Sequence, residues 1–305
     1  MEGNDKKGVR FVVFTDVQYG DKEDTERKRF KSVLSTFQGT VRALEKMESE
    51  HIDFTIQLGD IVEGNDTIDK TREDMMKVNP LLSSISSNSR PHYNVLGNHC
   101  LNLPRSEIVT LLNIQSPKHP AAYYTMEYGD WSFVVLDHLW ISVMKIPDER
   151  DLGQQDRALM AEAILEKIPL ETHPFAQRWN GAIGEEQQAW FKAQLDDSHR
   201  RGRRVGVFSH IPILESAASD RHLAWDHKAV LKLLDEYNHV EFYMAGHCHR
   251  GGYALRNGVH HITIEGMLES SAAVEASYSV VNLSPETIRI EGVGGCSSYS
   301  FSVCT

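Results

Sequence analysis

Short runs of apolar, β-branched and aromatic residues recur along the chain, each followed by a stretch of polar residues and turn formers. Runs at 9–15 (VRFVVFT), 54–58 (FTIQL), 93–96 (YNVL), 204–208 (RVGVF) and 240–244 (VEFYM) have the length and composition of buried strands. Between the first two, Phe30, Val33, Leu34, Phe37, Val41, Leu44 and Met47 recur at helical spacing over about five turns. The same spacing predicts helices over 184–199, on Ala189, Trp190, Phe191 and Leu195, and over 227–237, on Val230, Leu231, Leu233 and Leu234. Strands alternating with helices predict βαβ units and a largely parallel core, hence an α/β class.

Two regions depart from that alternation. Residues 123–137 read as two strands around Gly129-Asp130, an antiparallel hairpin, and beyond Gly252 the chain turns strand-rich, with runs at 259–265, 278–283 and 288–293. The segment at about 138–183 reads as an irregular insertion with one helix, 154–168, flanked by prolines. There is no internal repeat, low-complexity tract or linker pattern, so a single domain over 1–305 is expected.

Composition narrows the function classes. With 305 residues, 41% apolar and 25% charged, the chain is globular and large enough for a full core. Its 32 Lys+Arg against 43 Asp+Glu give a formal charge of −11, which excludes a general nucleic-acid binder. An acidic protein handling phosphates needs local positive charge, and metal ions are the obvious source. Four cysteines (Cys100, Cys248, Cys296 and Cys304) are too few for a disulfide framework. Residues 1–10 lack a signal-peptide pattern, and no stretch approaches the ~20 apolar residues of a membrane span. These features predict a soluble cytoplasmic monomer with neither nucleic-acid nor membrane partners.

The candidate chemistry lies where the strands end. The first runs into Asp16-Val17-Gln18 and the second into Gly59-Asp60. The third runs into Gly97-Asn98-His99, the fourth into Ser209-His210, and the fifth into Gly246-His247-Cys248-His249. Taken singly, each has an ordinary structural role: an aspartate caps, Asn98 after Gly97 makes a turn, and a lone histidine is hydrogen-bonded in a core. Jointly, ligand-type residues close all five strands at their carboxyl ends, the edge where α/β folds bind ligands. Carboxylate, amide and imidazole donors suit Mn²⁺, Mg²⁺, Zn²⁺ or Fe over a thiolate-loving ion.

This ordered set resembles the calcineurin-like metallophosphoesterases, from Val9 to about Leu283. The resemblance implies a sandwich of two mixed β-sheets flanked by helices, with a dinuclear site at strand carboxyl ends. It also implies that Asp16, Gln18 and His249 hold one metal, that Asn98, His210 and His247 hold the other, and that Asp60 bridges them. Gln18 departs from the histidine usual in that first block, and a neutral amide oxygen shifts preference towards Mn²⁺ or Mg²⁺. Purple acid phosphatases are set aside because their tyrosinate ligand would fall at Glu63. The glutamine, with Arg178-Trp179-Asn180-Gly181-Ala182-Ile183-Gly184 and the Glu185-Glu186-Gln187-Gln188 that follows, is similar to the manganese-dependent ADP-ribose/CDP-alcohol diphosphatases.

What that subgroup implies is cleavage of the diphosphate linkage in ADP-ribose or in CDP-choline, CDP-ethanolamine and CDP-glycerol, giving AMP or CMP plus the phosphorylated partner. Two alternatives stay open: a phosphomonoesterase or cyclic-nucleotide phosphodiesterase on the same centre, and a non-catalytic metal-binding scaffold. His99 is expected to face the reacting phosphate, and Arg250 and Asn180 to contact substrate. Cys100 and Cys248 are expected to be small buried neighbours of the centre. One of Trp140, Phe175 and Trp179 is a candidate to stack on a base.

Overall fold

The computed structural model describes residues 8–47, 51–87, 90–143 and 146–303; Cys304 and most of the polar 1–10 segment lie outside them. Twelve strands form two six-stranded sheets. The first holds β1 (Val9–Phe14), β2 (Phe54–Gln57) and β3 (His92–Asn94), parallel to one another, with β10 (Tyr278–Leu283), β11 (Thr287–Val293) and β12 (Tyr299–Ser302) added antiparallel beyond β1. The second runs β4 (Tyr124–Tyr128), β5 (Trp131–Leu136), β6 (Arg204–Ser209), β7 (Val240–Ala245), β9 (Val259–Thr263), β8 (Gly252–Arg256). Its four central strands are parallel and its two outer strands antiparallel.

Alternation along the strands builds the sandwich. Phe11 stacks on Phe54 across β1 and β2 with ring centroids 4.7 Å apart, and its edge meets Phe208 of the opposite sheet at 5.5 Å. Phe133 and Phe242 complete the same fully buried cluster. Phe14, of the other parity, turns outward to Phe37 of helix α1 (Val33–Lys46), as period-two geometry requires. Gly206 on β6 leaves room for the Phe242 ring, which a Cβ there would meet at 2.3 Å.

The parallel strands are therefore divided between two mixed sheets, in the form that the resemblance implied and not as one parallel core. The carboxyl-terminal strands are divided too: β8 and β9 extend the second sheet, β10 to β12 the first. The strand expected at 93–96 forms one residue earlier and is shorter, because Val95 and Leu96 already belong to the loop bearing the candidate ligands. Two helices carried no clear apolar signal, α2 (Ile68–Ile85) and α3 (Arg105–Leu111). The insertion holds α4 (Gln154–Lys167) and leads into α5 (Gly184–Arg200), while α6 (His227–Leu234) precedes β7. Trp140, Phe175 and Trp225 form a small second core there, with the Arg157 guanidinium 3.6 Å over the Trp140 ring. No helix among the described residues is long and apolar enough to cross a membrane.

Candidate metal centre

The loops after β1 and β2 leave the first sheet side by side. Asp16 N–H donates to the Gly59 carbonyl (3.1 Å) and Gln18 N–H to that of Asp60 (2.8 Å), so the two segments fix each other. Asp16, Gln18, Asp60 and His247 have φ of 51°, 44°, 54° and 65°, and they are four of the six non-glycine residues with positive φ among those described. Each such residue costs on the order of 1–3 kcal/mol, strain that concentrates at functional sites. The glycines beside these residues leave space for them. A Cβ at Gly97 would lie 2.1 Å from Asp60 Oδ1, and one at Gly59, where φ is +109°, would lie 2.4 Å from His210 Nδ1.

These loops meet those of the second sheet between the layers. Asp60 Oδ2 lies 3.2 Å from His210 Nε2 and accepts from Gln18 Nε2 at 3.1 Å; its Oδ1 accepts the His99 N–H at 2.8 Å. His210 Nε2 also faces Asn98 Oδ1 at 3.0 Å. Asp16 Oδ1 lies 3.2 Å from His249 Nε2, and Asp16 Oδ2 accepts the backbone N–H of His247 at 3.0 Å. All seven ligand-type residues are thus joined in one buried network. Donor atoms of Asp60, His210 and His247 lie within 4.8 Å of one another.

The network is fitted for cations. Gln18 Oε1 is a buried acceptor without a hydrogen bond, a costly state that a metal would relieve. Each imidazole is held by its far nitrogen: His210 Nδ1 on the Leu58 carbonyl (2.8 Å), His249 Nδ1 on Glu269 Oε1 (3.1 Å), His247 Nε2 on Asn180 Oδ1 (2.8 Å). That leaves one nitrogen of each ring to serve as a ligand. Cys100 is buried and its thiol is pushed up to about 12 chiefly by burial, so it stays protonated beside the centre.

Charges inside this pocket pull strongly on one another. Burial works against ionised Asp60, yet His210 and His99 outweigh it and hold the carboxyl far below its usual range. Burial opposes a charge on His249 as well, but Asp16 and Glu269 lift it to about 10. His247, desolvated and facing His210 and His222, is driven well below its ordinary value and stays neutral.

A cavity of about 620 Å³ opens over the centre, with Gln18, Asn98, His99, His247 and His249 in its floor and wall. His99 donates from Nδ1 to the Glu63 carbonyl at 2.8 Å, leaving Nε2 for the cavity. Arg250 lines the same cavity. Asn180 does not: it is fully buried, its Nδ2 donates to the carbonyls of Phe175 (2.9 Å) and Arg221 (2.8 Å), and its Oδ1 is taken by His247. Asn180 has no group left for a ligand and instead orients a metal-facing imidazole. Of the three candidate aromatics, Trp179 lines the cavity, whereas Trp140 and Phe175 belong to the second core. Arg27, Lys28, Arg221 and His222 complete the wall, and no motif singled them out. The His222 ring lies 5.1 Å from that of His247.

A two-sheet sandwich with oxygen and imidazole donors converging from both layers defines a metallophosphoesterase. The chain belongs to the calcineurin-like phosphoesterase family, whose model matches residues 9–251. Among curated proteins, it is 30% identical to a manganese-dependent ADP-ribose/CDP-alcohol diphosphatase of Oryza sativa subsp. japonica, over 92% of this chain and 90% of the relative. The Arabidopsis thaliana protein of the same name is 29% identical over 95% of this chain and 96% of its own length. Among solved structures, a dimetal phosphatase from Danio rerio superposes with a TM-score of 0.83 at 24% identity, covering 97% and 99% of the two chains.

Proposed function

We propose that this chain is a manganese-dependent hydrolase of the diphosphate linkage in ADP-ribose and CDP-alcohols, releasing AMP or CMP and the phosphorylated partner. The observation carrying the reading is the convergence of Asp16, Gln18, Asp60, Asn98, His210, His247 and His249 from both sheets, with the buried Gln18 Oε1 left unpaired. The names of the relatives supply the substrate class. In this reading Asp16, Gln18 and His249 hold one divalent cation, Asn98, His210 and His247 hold a second, and Asp60 serves both. Bound cations of this kind neutralise phosphoryl oxygens and make water acidic enough to attack at neutral pH. The neutral Gln18 amide favours Mn²⁺ or Mg²⁺ over Zn²⁺ or Fe.

The protein's own groups do the rest. Leu58, Glu269 and Asn180 fix the imidazole tautomers, so no reorganisation is needed when a substrate arrives. His99, anchored through Nδ1 by the Glu63 carbonyl, presents Nε2 to the cavity, where its imidazolium form donates to the reacting phosphate. A departing monoester phosphate has its second pKa at about 6 and leaves without a strong acid. Free thiols at Cys100, Cys248 and Cys296 suit a reducing compartment, and the reading includes a soluble monomer in the cytoplasm.

The test is a substrate screen on metal-depleted protein reloaded with Mn²⁺, Mg²⁺ or Zn²⁺. ADP-ribose should yield AMP and ribose 5-phosphate, and CDP-choline should yield CMP and phosphocholine, fastest with Mn²⁺. Release of inorganic phosphate from monoesters, without nucleoside monophosphate from either compound, would replace this reading with a phosphomonoesterase.

A further inference from the structure

Four basic side chains, Arg27, Lys28, Arg221 and Arg250, line the cavity over the candidate centre. Among the described residues, none of them forms an ion pair with a carboxylate. Several exposed arginines elsewhere are neutralised, Arg72 by Glu107, Arg178 by Glu162 and Arg201 by Glu127. Acidic partners are not scarce, with 43 Asp+Glu against 32 Lys+Arg. Glu63 and Glu269, both close enough to act on Lys28, are turned to His99 (3.2 Å) and His249 (3.1 Å) instead. The Arg221 guanidinium stays at the rim, 5.8 Å over the Trp179 ring. Like charges gathered at one mouth repel, and such clusters persist where an anion supplies the missing charge.

We propose that Arg27, Lys28, Arg221 and Arg250 anchor the substrate phosphate that the metal ligands do not reach, so that the pocket selects compounds with two linked phosphates over those with one. This rests on the reading above and deepens it by naming the residues that would hold the second phosphate. Guanidinium groups suit the task because they bond phosphate oxygens in pairs.

The experiment is calorimetric titration of Mn²⁺-loaded protein with α,β-methylene-ADP and with AMP. It is run on the parent, on a variant carrying Arg27→Ala, Lys28→Ala and Arg250→Ala, and on Arg200→Ala, a distant surface change of the same sign. The parent should bind the two-phosphate compound more tightly. The triple variant should lose that affinity by about 10–100-fold, the scale of a lost charge-assisted hydrogen bond, with AMP binding and metal content nearly unchanged. Arg200→Ala should match the parent. Equal losses for both nucleotides, no loss, or no preference in the parent would overturn the anchor. Absence of ADP-ribose and CDP-choline turnover with the preference intact would instead overturn the proposed reaction and leave the anchor standing.

Discussion

The Asn180 side chain makes three hydrogen bonds, and each reaches a different segment: the insertion at Phe175, the loop at Arg221, and His247. Asn180→Ala would leave the His247 Nε2–H buried without an acceptor and free the ring to turn. One class of metal site should weaken by about 10–100-fold while the other is kept, measurable by Mn²⁺ calorimetry. His249 sets a pH dependence whose sign follows from its value of about 10, against about 6.5 in an unfolded chain. In metal-free protein, the His249–Asp16 pair stabilises fully below about 6.5 and is lost as pH rises towards 10. A ligand histidine must be neutral, so metal uptake runs the other way: Mn²⁺ affinity should rise from pH 7 to 9 with release of protons. A flat affinity over that range would contradict the pairing. The candidate ligand residues stood out because each abuts a strand pattern within a few residues. The role of Asn180 and the places of Arg221 and His222 did not, since all three sit in irregular segments where no period marks which way a side chain points.

Elements were legible where a side-chain pattern was apolar and opaque where it was mixed. The buried face of α2 follows helical spacing, but two of its members are Thr71 and Asp74. Asp74 is buried because it accepts from the Asp21 backbone and the Asn65 amide, partners invisible to local pattern. Edge strands β8 and β12 are partly exposed, and their sequences alternate too weakly to stand out. A strand pattern also carries no label for its sheet, which is why the division of β1, β2 and β3 from β6 and β7 needed the resemblance. The loops between elements are packed as tightly as the core. Gly97→Ala would drive a methyl group into Asp60 Oδ1 and displace the carboxylate that both sheets' ligands surround. Metal content by elemental analysis should fall sharply, with far-UV circular dichroism unchanged because β2 and β3 end before the clash.

At the scale of the molecule, the donors come from both layers: Asp16, Gln18, Asp60 and Asn98 from the first sheet's loops, His210, His247 and His249 from the second's. Cations held there would tie the layers together, so removing them should loosen the sandwich as a whole. Chelation should lower the melting temperature by several degrees, and metal at 100 times its Kd stabilises by about 2.7 kcal/mol. A chelator-insensitive transition would mean that the layers do not depend on the site. The first sheet also has an order of assembly built into it. Val9 pairs with Leu283, and β10 lies between β1 and the final hairpin, beyond the 9–251 span of the family match. During synthesis at about 5–20 residues per second, β1 therefore waits tens of seconds with one edge open. A ribosome-bound chain stalled just short of residue 278 should be cut readily by protease, and the released chain should resist it. The first sheet closes only after residues 278–283 have been made, and until then the exposed strand is a place where chaperones or aggregation can act.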